Sequence, residues 1–101
     1  MRTPKLLASG LLLASLTALN AQAQVSIDVS KISCDQFTLY KVTDPRNIAI
    51  WLSGYYNGKR DNTVIDTQVF NENYNKLRTY CSANPNATVM KAVETLFGPA
   101  K

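Results

Sequence analysis

The sequence predicts an all-α fold, a small bundle of about four helices held by one disulfide, and three observations predict it. Apolar residues recur at helical spacing in two long runs, 44–58 and 68–84, each bounded by residues that start and stop helices. The two cysteines, Cys34 and Cys81, each fall on the apolar side of a separate predicted helix. After a leader-like opening, the remaining chain is too short to be stable on core packing alone and needs a staple.

The opening residues set the compartment. Arg2 and Lys5 precede an apolar run from Leu6 to Leu19, and Ala21-Gln22-Ala23 matches the small-x-small pattern of a cleavage site. This is the layout of a signal peptide, expected over residues 1–23, with a mature domain over 24–101. The run has roughly 14 residues against the ~20 that span a bilayer, so a retained membrane anchor is not expected. Cleavage leaves 78 of the 101 residues, one domain whose core contributes only about 3 to 5 kcal/mol.

In an exported chain of this size two cysteines read as a disulfide. Their separation of 47 positions is not the CxxC spacing of redox or zinc sites, and with no histidine a zinc tetrahedron would need carboxylates. No metal or other cofactor is expected. A bridge closing a loop of this length restricts the unfolded chain by roughly 4 kcal/mol, comparable to the whole core term.

The elements follow in order. Residues 24–32 alternate loosely and read equally as a short extended arm or a frayed terminus. Ser33, with Gln36 three residues on, forms a capping-box signature for a short helix from Cys34 to about Tyr40, on which Phe37 and Tyr40 share a face with Cys34. Asp44 caps the next helix and Pro45 supplies a first position with φ preset. Its stripe is Ile48, Trp51, Leu52 and Tyr55, widened by Tyr56, with Asn57-Gly58 as the stop. Ile50 lies off the stripe and is the candidate interface residue.

A polar loop at 59–62 leads to Val64-Ile65, at least one of which is expected to face inward as a staple beside the capping Asp66 or Thr67. The longest helix is expected from Gln68 to about Asn84, with Phe70, Tyr74, Leu77 and Cys81 on one side. Asn84-Pro85-Asn86 breaks it, and Asn86 is the expected cap of a last helix carrying Val89, Met90, Val93, Leu96 and Phe97 before Gly98-Pro99. Asn86-Ala87-Thr88 matches a glycosylation sequon, read here as a chance match.

Charge and inventory exclude several function classes. Losing Arg2 and Lys5 leaves nine basic residues against seven acidic ones, and only Lys59-Arg60 are adjacent, so no basic footprint for nucleic acid is present. Without histidine, and with both cysteines in a bridge, Ser-His and Cys-His nucleophile pairs are unavailable. The carboxylates are spread singly, several at predicted helix starts where capping accounts for them. No catalytic residue is assigned, and the chain reads as a binding or chaperone module.

At this point the residues carry a resemblance. The leader, ISCDQF around Cys34, the Pro-led apolar helix from Pro45 to Tyr56, the Val64-Ile65-Asp66 step, a helix ending in Cys81 and a short final helix together resemble the HdeA/HdeB family of periplasmic acid-stress chaperones. The resemblance implies a periplasmic location, a homodimer at neutral pH, and ATP-independent binding of acid-denatured periplasmic proteins after dissociation and partial unfolding. Carried over, the client-binding or dimer segments are Ile48, Ile50, Trp51 and Leu52, then Val64 and Ile65, with Phe70 nearby. The chain departs from the family pattern in having no Lys-rich stretch after Gly98-Pro99, a short polar loop and many tyrosines.

Without histidine an acid switch must use carboxylates, and Asp35, Asp44, Asp66 and Glu72 are the candidates. Protonating all seven acids moves the side-chain charge of the mature chain from about +2 to about +9, and the self-repulsion favours expansion within the limit set by the disulfide. Two rival functions stay open. One is a small exported inhibitor or binding protein acting on a single folded partner at neutral pH. The other, a membrane-active cationic protein, is disfavoured by the small net charge.

Overall fold

The computed structural model describes residues 25–99, and the expected leader lies outside them. A 3-10 turn over Val29–Lys31 precedes four helices, α1 (Cys34–Thr38), α2 (Pro45–Lys59), α3 (Thr67–Ala83) and α4 (Val89–Phe97). The fold is all-α, as the apolar spacing predicts, and no strand occurs among the described residues.

The start signals are the best-read parts of the chain. Ser33 and Gln36 form a complete capping box: the Gln36 N–H donates to Ser33 Oγ at 3.1 Å and the Ser33 N–H donates to Gln36 Oε1 at 3.0 Å. Asp44 accepts from the Arg46 N–H at 2.9 Å, with Pro45 as the first residue of α2. Asp66 accepts from the N–H groups of Gln68 and Val69, both at 3.0 Å. Each cap satisfies donors that a first helical turn otherwise leaves without partners.

The stop signals differ from expectation. Helix α1 ends at Thr38, and Tyr40 takes a left-handed φ of 58° and is exposed, so it does not share the packing face with Cys34. Helix α2 runs through Asn57-Gly58 to Lys59, and the left-handed residue is Asp61, at φ 55°. A glycine in a helix costs only about 1 kcal/mol, too little to end a turn whose hydrogen bonds are otherwise available. The cap of α4 is Thr88, whose Oγ1 accepts from the Lys91 N–H at 3.1 Å, and not Asn86.

Thr88 takes that role because the 84–88 turn is fastened to the start of α1. The N–H groups of Cys34 and Asp35 donate to the carbonyls of Ala87 and Pro85, at 2.8 and 3.1 Å, and the Val89 N–H donates to Ile32 O at 2.9 Å. The N-terminal ends of α1 and α4 therefore lie side by side, bridged at Ser33 and Thr88. The segment before α1 is no frayed arm: Val29 and Ile32 are buried in the core.

That core also holds Cys34, Phe37, Ile48, Leu52, Tyr56, Leu77, Cys81, Val89, Ala92 and Val93. On α2 the buried positions are Pro45, Ile48, Ala49, Leu52 and Tyr56, while Trp51 lies outside the core and stacks on Tyr55, ring centroids 5.0 Å apart. The core stripe is thus rotated toward Ala49 from the one centred on Trp51, because α2 packs against α1 and α3 and leaves the indole at the edge. Neither Val64 nor Ile65 is buried as a staple: both are largely exposed on the irregular segment 62–66, a strap that crosses the surface between α2 and α3.

Candidate functional site

The disulfide comes first, because it sets what can move. Cys34 opens α1 and Cys81 lies near the end of α3; both are fully buried, and they are bonded with their Cα atoms 4.7 Å apart. The separation falls in the range a disulfide spans without backbone distortion. Helix α2 and the 62–66 strap lie entirely inside the loop this bond closes.

The residues predicted as a client or dimer surface separate into two groups. Ile48 and Leu52 are core, packed beneath α2. Ile50 and Trp51 are 56% and 46% exposed on the other side of the same helix, and Val64 and Ile65 are 73% and 69% exposed on the strap. Val69, one turn into α3, is also exposed. Two pairs of large apolar groups left in water, one on α2 and one on the strap, are a marked feature for so small a domain, since exposed apolar surface is where partners bind.

Phe70 stands apart from both groups. The Arg46 guanidinium lies over it at 5.3 Å from the ring centroid and over Tyr74 at 5.1 Å, and Arg46 also donates to Asn71 Oδ1. Phe70 and Tyr74 lie nearly parallel, one turn apart on α3. A cation held over two ring faces pins the start of α2 to α3 and covers Phe70.

The predicted acid-switch carboxylates are all on the surface with local roles. Asp35 accepts from Lys41 Nζ at 2.9 Å, the one ion pair among the described residues, and both side chains are well exposed. Asp44 and Asp66 cap α2 and α3 as described. Glu72 accepts from Gln68 Nε2 at 3.5 Å, one turn away on α3. A cap accepts best as a carboxylate, where the charge also meets the positive end of the helix dipole.

Two groups missed by sequence reasoning stand out electrostatically. Hydrogen bonds from the Ser30 hydroxyl and N–H hold the Asp28 carboxyl below the usual carboxylate value. Burial, and then the Glu94 carboxylate beside it, pushes the Tyr56 hydroxyl up to about 12. Tyr56 donates to Glu94 Oε2 at 2.9 Å, joining α2 to α4. The two residues are 38 positions apart, and no local pattern marks the pair.

Between α2, α3 and α4, below the strap, lies a cleft of about 220 Å³. No group of three or more metal-ligating side chains occurs among the described residues. No described helix is long and apolar enough to cross a membrane.

A helical scaffold with one buried disulfide between the first and third helices, a Pro-led second helix and an aliphatic strap is the pattern noted above, and the sequence profile of the HdeA/HdeB family matches residues 5–91. The chain belongs to the HdeA/HdeB family. That family is one of periplasmic acid-stress chaperones, so acid-stress chaperoning and a periplasmic setting hold for this HdeA/HdeB chain at the level of the family. No curated protein and no solved structure matches it.

Proposed function

We propose that this protein is an ATP-independent chaperone of the periplasm that dissociates and partly unfolds in acid and holds unfolding proteins on the apolar segments thereby uncovered. Residues 1–23 are removed on export, the mature protein is a homodimer at neutral pH, and it carries no catalytic activity and needs no cofactor. The observation that carries this reading is the placing of the apolar surface. Ile50, Trp51, Val64 and Ile65 are exposed on segments that the Cys34–Cys81 bond encloses, and Ile48 and Leu52 are buried on the core side of α2 within the same loop.

Acid acts on this arrangement through charge. Protonation of the carboxylates leaves about nine positive charges on 78 residues with nothing to offset them, and weakens the caps at Asp44 and Asp66. The elements joined only by packing separate, and the bond between α1 and α3 does not titrate. Helix α2 and the strap then form a tethered loop whose apolar groups stay near one another. Clients meet several anchors at once on such a loop, so the effective concentration of each remains high.

The test is light scattering from an aggregating client protein at pH 2.5 and at pH 7, with and without the mature protein. The proposal expects suppression in acid only. Suppression at neither pH, or tight binding of one folded partner at pH 7, overturns it.

A further inference from the structure

The cleft under the strap has a composition that the chaperone reading does not use. Its floor is apolar and buried, made by Leu52 of α2, Leu77 of α3 and Val93 of α4. Its rim is polar, with Ser53, Arg60 and Asn73 around the mouth. At about 220 Å³ it holds far more than one water, which needs about 10–15 Å³, and lies below the ~300–1,000 Å³ of sites for drug-sized ligands. The occupant it suits is small.

Charge selects the kind of occupant. Two ionisable side chains of opposite sign line the cleft, Arg60 and Asp66. Asp66 Oδ1 accepts from both first-turn N–H groups of α3, which spread part of the carboxylate's charge into the helix. Arg60 donates through Nη2 alone, to the carbonyls of Gly98 and Pro99 at 3.3 Å each, and among the described residues its other N–H groups have no acceptor. No described group accepts from the Asn73 amide, and Ser53 Oγ accepts from Asn57 Nδ2 while its own proton is uncommitted. Asn73 Oδ1 and Asp66 Oδ2 likewise have no described donor, so what favours an anionic head is the Arg60 guanidinium, the one cation of the lining, which is only partly engaged.

We propose that the cleft is a binding site for a small amphipathic carboxylate, its apolar tail against Leu52, Leu77 and Val93 and its head at Arg60. The strap supplies the cover. Val64 and Ile65 line the same cleft, and they hang between Asp61 and the capping Asp66. A tail lying on Leu52, Leu77 and Val93 extends that apolar floor outward to the two aliphatic side chains, which can close over it. The site is independent of client holding and is occupied at neutral pH, in the folded state.

Methyl spectra of the disulfide-bonded protein at pH 7, titrated with hexanoate, hexanol and hexylammonium, test this. Saturable shifts of the Leu52, Leu77, Val93, Val64 and Ile65 methyls are expected, with hexanoate binding five- to tenfold tighter than hexanol and hexylammonium weakest. Arg60→Gln, at an exposed rim position, abolishes the preference for hexanoate and leaves hexanol unchanged, and Ser53→Leu, which fills the mouth, blocks all three. Absence of saturable shifts, equal affinity of the three probes, or an Arg60→Gln variant that keeps the preference overturns the proposal. Each of these results is read without acid or client, so the chaperone function stands or falls separately.

Discussion

The Tyr56 hydroxyl donates to the Glu94 carboxylate at 2.9 Å, and this bond joins the buried side of α2 to α4. Tyr56 is in the core, so the pair offers the polar end of a large ring its one acceptor side chain. Replacing it by Phe removes the donor and leaves Glu94 to water on its exposed side. A loss of about 1 kcal/mol is expected at neutral pH. The sign of its pH dependence follows from the raised value. A group at about 12 folded and 10 unfolded contributes fully below pH 10 and loses that contribution as pH rises through 12. Thermal melts from pH 8 to 12 should therefore show wild type and Tyr56→Phe converging in the alkaline range; a constant gap contradicts the assignment.

Arg46 holds the start of α2 to α3 over the faces of Phe70 and Tyr74. Arg46→Ala removes both contacts and the bond to Asn71, at an expected cost of about 1 to 2 kcal/mol. Because the guanidinium also covers Phe70, binding of an apolar dye at pH 7 should rise in the variant. Urea melts and dye fluorescence measure the two effects, and unchanged dye binding argues against the covering role.

Gly54 lies within α2, and a Cβ built there meets nothing within 4 Å. Gly54→Ala should stabilise the fold by about 0.5 to 1 kcal/mol through helix propensity and a smaller unfolded ensemble. In a domain this small the melting temperature rises by roughly 4 to 8 °C per kcal/mol. A lower melting temperature would mean that α2 needs the glycine for a reason its surroundings do not show.

Ile50 is exposed on α2 opposite the core. An Ile50→Ser variant is expected to weaken the proposed neutral-pH dimer several-fold and leave helicity and melting of the dilute monomer unchanged. Sedimentation over a concentration series checks the first and circular dichroism the second. Loss of the fold would assign Ile50 to the core.

The sequence was most legible where the signal is local. Ser33 with Gln36, Asp44 with Pro45, and Asp66 all act within one turn, and each start matches its cap. The disulfide was legible because an exported chain of this size has few other uses for two inward-facing cysteines. What was hidden depends on contacts across the chain. Asn57-Gly58 looks like a stop, yet Asn57 Nδ2 donates to Ser53 Oγ one turn back and the helix continues. Asn86 looks like a cap, yet the carbonyls of Pro85 and Ala87 are taken by the start of α1 and Thr88 does the capping. Val64 and Ile65 look like a staple because they are apolar, but a strap of five residues between two polar anchors holds them outside. The Glu94 partner of Tyr56 has no sequence signature at all.

The central claim is that acid charging expands a disulfide-tethered scaffold. Among the groups that respond, Asp28 is held charged by Ser30, so its contribution is present above the ordinary carboxylate range and is lost as pH falls below about 4. Small-angle X-ray scattering of the mature, oxidised protein from pH 7 to pH 2.5 tests the claim most directly, read as monomer dimensions at high dilution. The account predicts constant dimensions down to pH 5, expansion below about 4, and recompaction on adding salt, because screening weakens the repulsion. A transition centred near pH 6, or a chain still compact at pH 2.5, contradicts it.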